Sequence, residues 1–205
     1  MNAAPKTLVI ACGALARELM ALVRINRLEH LTITCLPAIW HNHPEKIAPG
    51  VQAKIRAARG KYAEIFCLYG DCGTGGALDF VLAAEGVERI AGAHCYEFFA
   101  GTTNFAALMD EEPGSFFLTD YLVRHFDRLI IKGLGLDRFP HLRDDYFGNY
   151  RRVVYLAQTE DNALVSKAKV AAARLGLAFE MRFTGYGTMA PFITQSAGSL
   201  HPVHG

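Results

Sequence analysis

An α/β fold is what this sequence predicts: a mostly parallel sheet with helices on both faces, in a Rossmann-like layering. Three observations predict it. Short apolar or β-branched runs recur along the chain, and stretches with helical apolar spacing stand between them. Glycine, proline or a polar cluster marks the changes between them. Such alternation favours parallel pairing through helical crossovers. With 205 residues, 51% hydrophobic and 20% charged, the chain can fill one core of ordinary size. We expect one domain over residues 1–190, with an aromatic-rich insertion at 96–126, and a disordered tail over 191–205.

The elements follow in order. TLVIAC is a first strand, stopped by Gly13. ALARELMALVRINRLEH places Leu15, Leu19, Leu22 and Ile25 on one helical face. LTITCLP is β-branched and ends at Pro37. WHNHPEKIAPG is loop, and VQAKIRAARGKY a basic surface helix. EIFCLYG is the third strand, and GTGGALDFVLAAEG opens a helix on a glycine-rich turn. VERIAGAHC is the fourth strand, and FFAGTTNFAALMDEEPG helix and loop. SFFLTDYLVRHF is expected to be helical, DRLIIKGLG a fifth strand and HLRDDYFGNY a polar connection. RRVVYLAQ is a sixth strand, NALVSKAKVAAARLG a helix and LAFEMRFTGYG a last strand.

A net charge of +1 creates no field for nucleic acid or an anionic membrane. No stretch approaches the ~20 apolar residues that span a bilayer. The N-terminal apolar run is too short for a signal peptide and reads directly as a strand. The expected location is cytoplasmic, where thiols stay reduced and cysteines serve metals or chemistry. Five cysteines cannot all pair internally in any case.

Four of the five stand where a predicted strand runs out: Cys12, Cys35, Cys72 and Cys95. The carboxyl ends of parallel strands line one crevice, where ligands bind. Four thiolates meeting there would hold a metal or an iron–sulfur cluster. His94 beside Cys95, and His41 and His43 after Cys35, are further candidate ligands; an H-x-H pair on an extended segment turns both imidazoles to one side. Cys67 lies inside an apolar strand and is read as a small core residue.

In YGDCGTGG, Gly73, Gly75 and Gly76 permit positive φ and close approach to a ligand. The helix start beyond them offers free N–H groups to an anion. In that field Cys72 is expected to have a lowered thiol pKa. Asp71 belongs to this loop, and Lys132 after the fifth strand is expected to enter the same crevice. The pattern is neither a P-loop nor the usual dinucleotide fingerprint. Asp120, Gln158, Glu160 and Asp161 are read as caps or solvated loop groups, and the Phe/Tyr cluster as core.

At CLPAIWHNHPEKI, YGDCGTGGALD and AHCYEFFAG, and from ACGALARE through KGLGLD and TEDN, the chain resembles the family catalogued as domain of unknown function 1638. Its members often occur in methylotrophs and methanogens beside corrinoid-dependent methyltransferases and their corrinoid proteins. The resemblance implies a pathway and such partners, not a mechanism. The expected function is a cysteine-ligated iron–sulfur protein of corrinoid-linked one-carbon metabolism, a redox partner or accessory enzyme with a small-molecule substrate. The alternatives are a zinc enzyme of methyl or thiol transfer, and a metal-free module binding a small anion.

Overall fold

The structure is a computed structural model that describes residues 6–198. Residues 199–205 of the expected tail lie outside the described residues. The chain divides into two compact units, residues 1–95 with 188–205 and residues 96–187. Each carries its own all-parallel sheet, where one continuous sheet was expected.

The first unit runs β1 (Thr7–Cys12), α1 (Ala16–Ile25), β2 (Leu31–Leu36), α2 (Ile47–Ala58), β3 (Glu64–Leu68), α3 (Ala77–Glu85) and β4 (Glu88–Arg89). Strand order is β2-β1-β3-β4. β1 is central, with Thr7 opposite Leu31 on one side and Glu64 on the other. The chain steps from β1 to β2 in one direction, then back across β1 to β3. Right-handed crossovers therefore put α1 and α2 on opposite faces. Alternation along the strands sorts the side chains. Leu8, Ile10, Cys67 and Tyr69 pack with Val51 and Ile55 of α2 and Leu78 and Leu82 of α3. The expected fourth strand is only two residues long, and its continuation to Cys95 is irregular.

The second unit begins within α4 (Cys95–Ala100), at the start of the segment expected as an insertion, but extends far beyond it. It continues with α5 (Thr102–Glu111), β5 (Ser115–Thr119), α6 (Asp120–Arg124), α7 (Leu142–Phe147), β6 (Arg152–Ala157), α8 (Asn162–Leu175) and β7 (Ala178–Phe183), in strand order β5-β6-β7. Leu118, Val153 and Tyr155 pack against Leu164, Ala168 and Leu175 of α8. Phe117, Val154 and Leu156 meet Leu108 of α5 on the other face.

Three expectations change here. SFFLT is strand and only DYLVR is helix, because consecutive aromatics suit a pleated, half-buried surface. Thr119 caps that helix, its Oγ1 accepting from the Leu122 N–H at 3.4 Å. Asp127–Ile131, expected as a strand, is a π-helical turn; so short an apolar run has no period that separates the two. The segment expected to be a polar connection contains α7.

Asp120 is not solvated either: it is 0% exposed. Its carboxylate accepts from Tyr155 O–H at 2.7 Å, Gln158 N–H at 3.0 Å and Thr159 O–H at 2.5 Å. Its own N–H donates to Gln158 Oε1 at 2.7 Å, and Arg124 lies 3.6 Å away. The end of β5 is thereby fastened to the end of β6.

Finally α9 (Met189–Gly198) returns to the first unit, so residues 191–198 of the expected tail are helix. Phe192 meets the β3 residue Phe66 edge-on, with ring centroids 6.3 Å apart, and Met189 and Ile193 are buried. Among the described residues no helix is long and apolar enough to cross a membrane.

Candidate metal centre

The connections leaving β1 and β3 run to opposite sides of the first sheet. They part at a topological switch point, which opens a crevice outside the carboxyl ends of these two strands. Cys12 is the last residue of β1, and Cys72 lies in the loop after β3.

The third thiol arrives by a backbone match between loops. Asp71 N–H donates to Gly92 O at 3.3 Å, and Cys72 N–H to Ala93 O at 2.8 Å. A Cβ on Gly70 would lie 3.0 Å from Ala93 O and 3.1 Å from His94 Cα, so any side chain there would press the second loop back by a few tenths of an ångström. Arg89 secures the second loop. It makes a bidentate pair with Asp79 of α3, at 2.5 and 3.0 Å, and donates to the carbonyls of Ile90 and Gly92. Cys95 therefore sits beside Cys72 as the first residue of α4, not at a strand end.

Cys12, Cys72 and Cys95 are each partly buried and free. They are close enough to disfavour one another's thiolates. Burial, then Cys12, pushes the Cys72 thiol up to about 11, against the pull of the Cys95 and Gly70 N–H groups. This reverses the expected lowering, because desolvation outweighs the hydrogen bonds. Burial, then Cys72 and Cys12, holds Cys95 well above the ordinary thiol value. Cys12 is also raised, by burial, against the Ala14 N–H and the Tyr69 side chain.

Cys35 stands apart from this trio. It pairs in register with Ala11 while Cys12 pairs with Leu36, so the regular pleat turns Cys35 and Cys12 to opposite faces. Its thiol is raised by burial and by Cys12. Cys67 is 0% exposed, and burial pushes its thiol up to about 12.

The histidines divide as well. His41 lies in a 3-10 turn, Ala38–Asn42, rather than the expected extended segment. Crowding by the surrounding protein, and then His94, lower its pKa, so these two imidazoles are neighbours. His43 is exposed and lies 3.5 Å from Glu45.

The glycine loop does not offer its donors outward. Asp71 accepts from Thr74 O–H at 2.5 Å, Gly75 N–H at 3.2 Å and Gly76 N–H at 2.9 Å. These bonds, Thr74's foremost, hold the Asp71 carboxyl below its usual range. The place expected for an external anion is filled by the chain's own carboxylate. Gly73, Gly75 and Gly76 do take positive φ as expected. Lys132 belongs to the second unit and is exposed, just after the π-helical turn.

Two residues at the site escaped the sequence reading. Glu18 of α1 is 6% exposed and acts on Cys95. A carboxylate three residues after Leu15 on an apolar stripe was the available signal. Tyr69, next to Gly70, is 2% exposed, and its hydroxyl makes no hydrogen bond of standard geometry. Cys12 is near enough that each affects the other's proton. Among the described residues no three of His, Cys, Asp and Glu are spaced as a metal site.

The sequence pattern of the family described as "Protein of unknown function (DUF1638)" matches residues 35–193, more than half of the chain. The chain belongs to the DUF1638 family. The DUF1638 match takes in Cys35, Cys72, His94 and Cys95 and begins after Cys12. No curated protein and no solved structure matches the chain.

Proposed function

We propose that this protein binds a metal centre through Cys12, Cys72 and Cys95, an iron–sulfur cluster in the first instance. We further propose that it acts in corrinoid-linked one-carbon metabolism as a redox partner or accessory enzyme. One observation carries the metal reading: Cys12 and Cys72 pack against one apolar cluster at a switch-point crevice, and the hydrogen bond from Cys72 N–H to Ala93 O brings the segment that leads into Cys95 alongside them. The pathway rests on the family's company with corrinoid methyltransferases.

The donor types suit such a group, although among the described residues they are not spaced as a metal site. Thiolates are the usual ligands of iron–sulfur clusters and of zinc. Three of them leave one position for His94, His41 or a ligand from outside. Bound there, a cluster would supply one-electron chemistry. The protein's part is to hold the three sulfurs, release their protons as they ligate and limit water. Protons lost from raised thiols make uptake pH-dependent. Cys35, on the other face of the pleat, serves as a flanking residue in this reading.

Zinc is the second reading, because three protein ligands and an open position suit a catalytic zinc. The anion-binding alternative loses its main support, since Asp71 occupies the Gly75 and Gly76 donors.

The experiment is iron, zinc and acid-labile sulfide analysis of anaerobically purified protein. Iron with sulfide supports a cluster, and stoichiometric zinc supports the second reading. Serine at Cys12, Cys72 or Cys95 should deplete the metal, and serine at Cys67 should not. Protein that holds neither metal after reconstitution overturns the proposal.

A further inference from the structure

We propose that the amino-terminal edge of the first sheet binds a primary alkylammonium ion, which donates its N–H groups to Glu64 and Thr7 and shares its charge with Glu88. The site lies at the opposite end of β1 from Cys12 and does not rest on the metal-binding reading.

Strand register assembles it. Thr7 opens β1 and pairs with Glu64, the first residue of β3, while Phe66 of β3 pairs with Glu88 of β4. Partners in register in a parallel pair share a face, and so do residues two apart along one strand. Thr7, Glu64, Phe66 and Glu88 therefore stand on one face, with the two carboxylates flanking the ring. It is the face on which α9 sets Phe192 against Phe66. Glu64, Phe66 and Glu88 line a cavity of about 450 Å³.

The second observation is a pair of orphaned polar atoms. Thr7 is 0% exposed, and its Oγ1 has no hydrogen-bond partner. Glu64 Oε2, beside it in the register, is also shielded from water and unpartnered. Buried polar groups are nearly always hydrogen-bonded, so two adjacent exceptions call for a donor that the chain itself does not supply. Valine would fill the place of Thr7 without leaving an orphan. Glu64 as a whole keeps part of its surface open, and a half-turn of its carboxylate exchanges the two oxygens.

The third is charge. Among the described residues neither Glu64 nor Glu88 belongs to an ion pair. Arg59, which also lines the cavity, is turned to Glu85: it donates to the Glu85 carbonyl and lies 3.4 Å from Oε2. Two carboxylates without a counter-charge select a cation. A carboxylate oxygen and a hydroxyl that both accept call for a cation bearing several N–H donors, which a primary ammonium has and a quaternary one lacks. Phe66 gives the methylenes beside the charge an apolar wall. The ion binds as it stands, with no bond made or broken.

The test is isothermal titration calorimetry of the full chain at constant ionic strength, with n-butylammonium, butan-1-ol and tetramethylammonium as separate titrants. We expect one saturable site for butylammonium, no binding of the neutral alcohol, and at least tenfold weaker binding of tetramethylammonium. Glu64→Gln should weaken butylammonium about tenfold, as loss of one charge-assisted hydrogen bond implies, and Thr7→Val about fivefold. Without ligand, Thr7→Val should melt no lower than wild type, because it loses an unsatisfied group; Glu88→Gln, at an exposed position, should weaken binding about threefold in an intact fold. Equal butylammonium affinity in wild type and all three variants overturns the site. Tetramethylammonium that binds as tightly as butylammonium overturns recognition through N–H donors, and butan-1-ol that does so overturns the cation class. Butylammonium heats that never saturate overturn the proposal as a whole.

Discussion

Replacing Asp120 with alanine takes the acceptor away from three donors at once. Tyr155 O–H and Gln158 N–H are buried and have nowhere else to turn, whereas Thr159 is partly exposed and can reach water. Each buried donor left alone costs about 1–3 kcal/mol. Arg124 loses its partner too, but its side chain is 22% exposed, so solvent recovers much of that loss. The expected destabilisation is about 4 kcal/mol, a large share of the total stability of an ordinary domain. Tyr155→Phe deletes a donor along with its bond and should cost about 1–2 kcal/mol. The double variant should cost less than the two single changes combined, by about 1 kcal/mol, because the orphaned phenol is no longer present. Urea denaturation followed by far-ultraviolet circular dichroism measures all three. An Asp120→Ala protein within about 1 kcal/mol of wild type, or strict additivity in the cycle, refutes the reasoning.

Further predictions concern the first unit. Cys67 has its thiol pushed up to about 12 from 9.0, so the fold favours the neutral form. That contribution is complete below pH 9 and is lost as pH rises towards 12, at about 1.4 kcal/mol per pH unit. Cys67→Ala should cost about 1 kcal/mol at pH 7 and lessen the alkaline loss by one proton's worth; parallel pH curves for the two proteins would count against it. Gly76→Val meets open space but must hold φ near 85°, so it should lose about 1–2 kcal/mol of stability and keep its metal. Gly70→Ala should do the opposite, lowering metal content because its Cβ pushes Ala93 and His94 away; full metal occupancy there would show that the loops need not touch. Arg89→Gln breaks the Asp79 pair and frees the loop before Cys95, so metal should dissociate faster from it under chelator challenge, and an unchanged rate would remove Arg89 from the site.

Much of the fold was legible in the sequence where a run carried both a period and a boundary. TLVIAC, LTITC and RRVVYLA are strands because β-branched and apolar residues end at Gly13, Pro37 and Gln158. NALVSKAKVAAARL is a helix because Asp161 caps it and Gly176 closes it in the left-handed region. SFFLT and DRLII lacked enough length for a period and were exchanged. The crevice could be located because strand ends converge by topology alone. Which cysteines share it could not. Cys35 and Cys12 were separated by a one-residue difference in register, and Cys95 was placed by a loop match that depends on Gly70. The consumption of the Gly75 and Gly76 donors was likewise hidden, because an aspartate before a glycine turn reads equally as a ligand-binding group and as a cap.

The return of α9 to the first unit has a consequence for the order of synthesis. The ribosome completes β1 to β4 and then makes the whole second unit before Met189, Phe192 and Ile193 emerge. Until then the β3 face that carries Phe66 lacks its cover, and a nascent chain bears an apolar strand face open to misassociation. The second unit, continuous in sequence, can close its core during that interval. A chain cut short before Thr188 would preserve every cysteine and still lack the helix that packs on β3, the strand paired with the one that ends at Cys12.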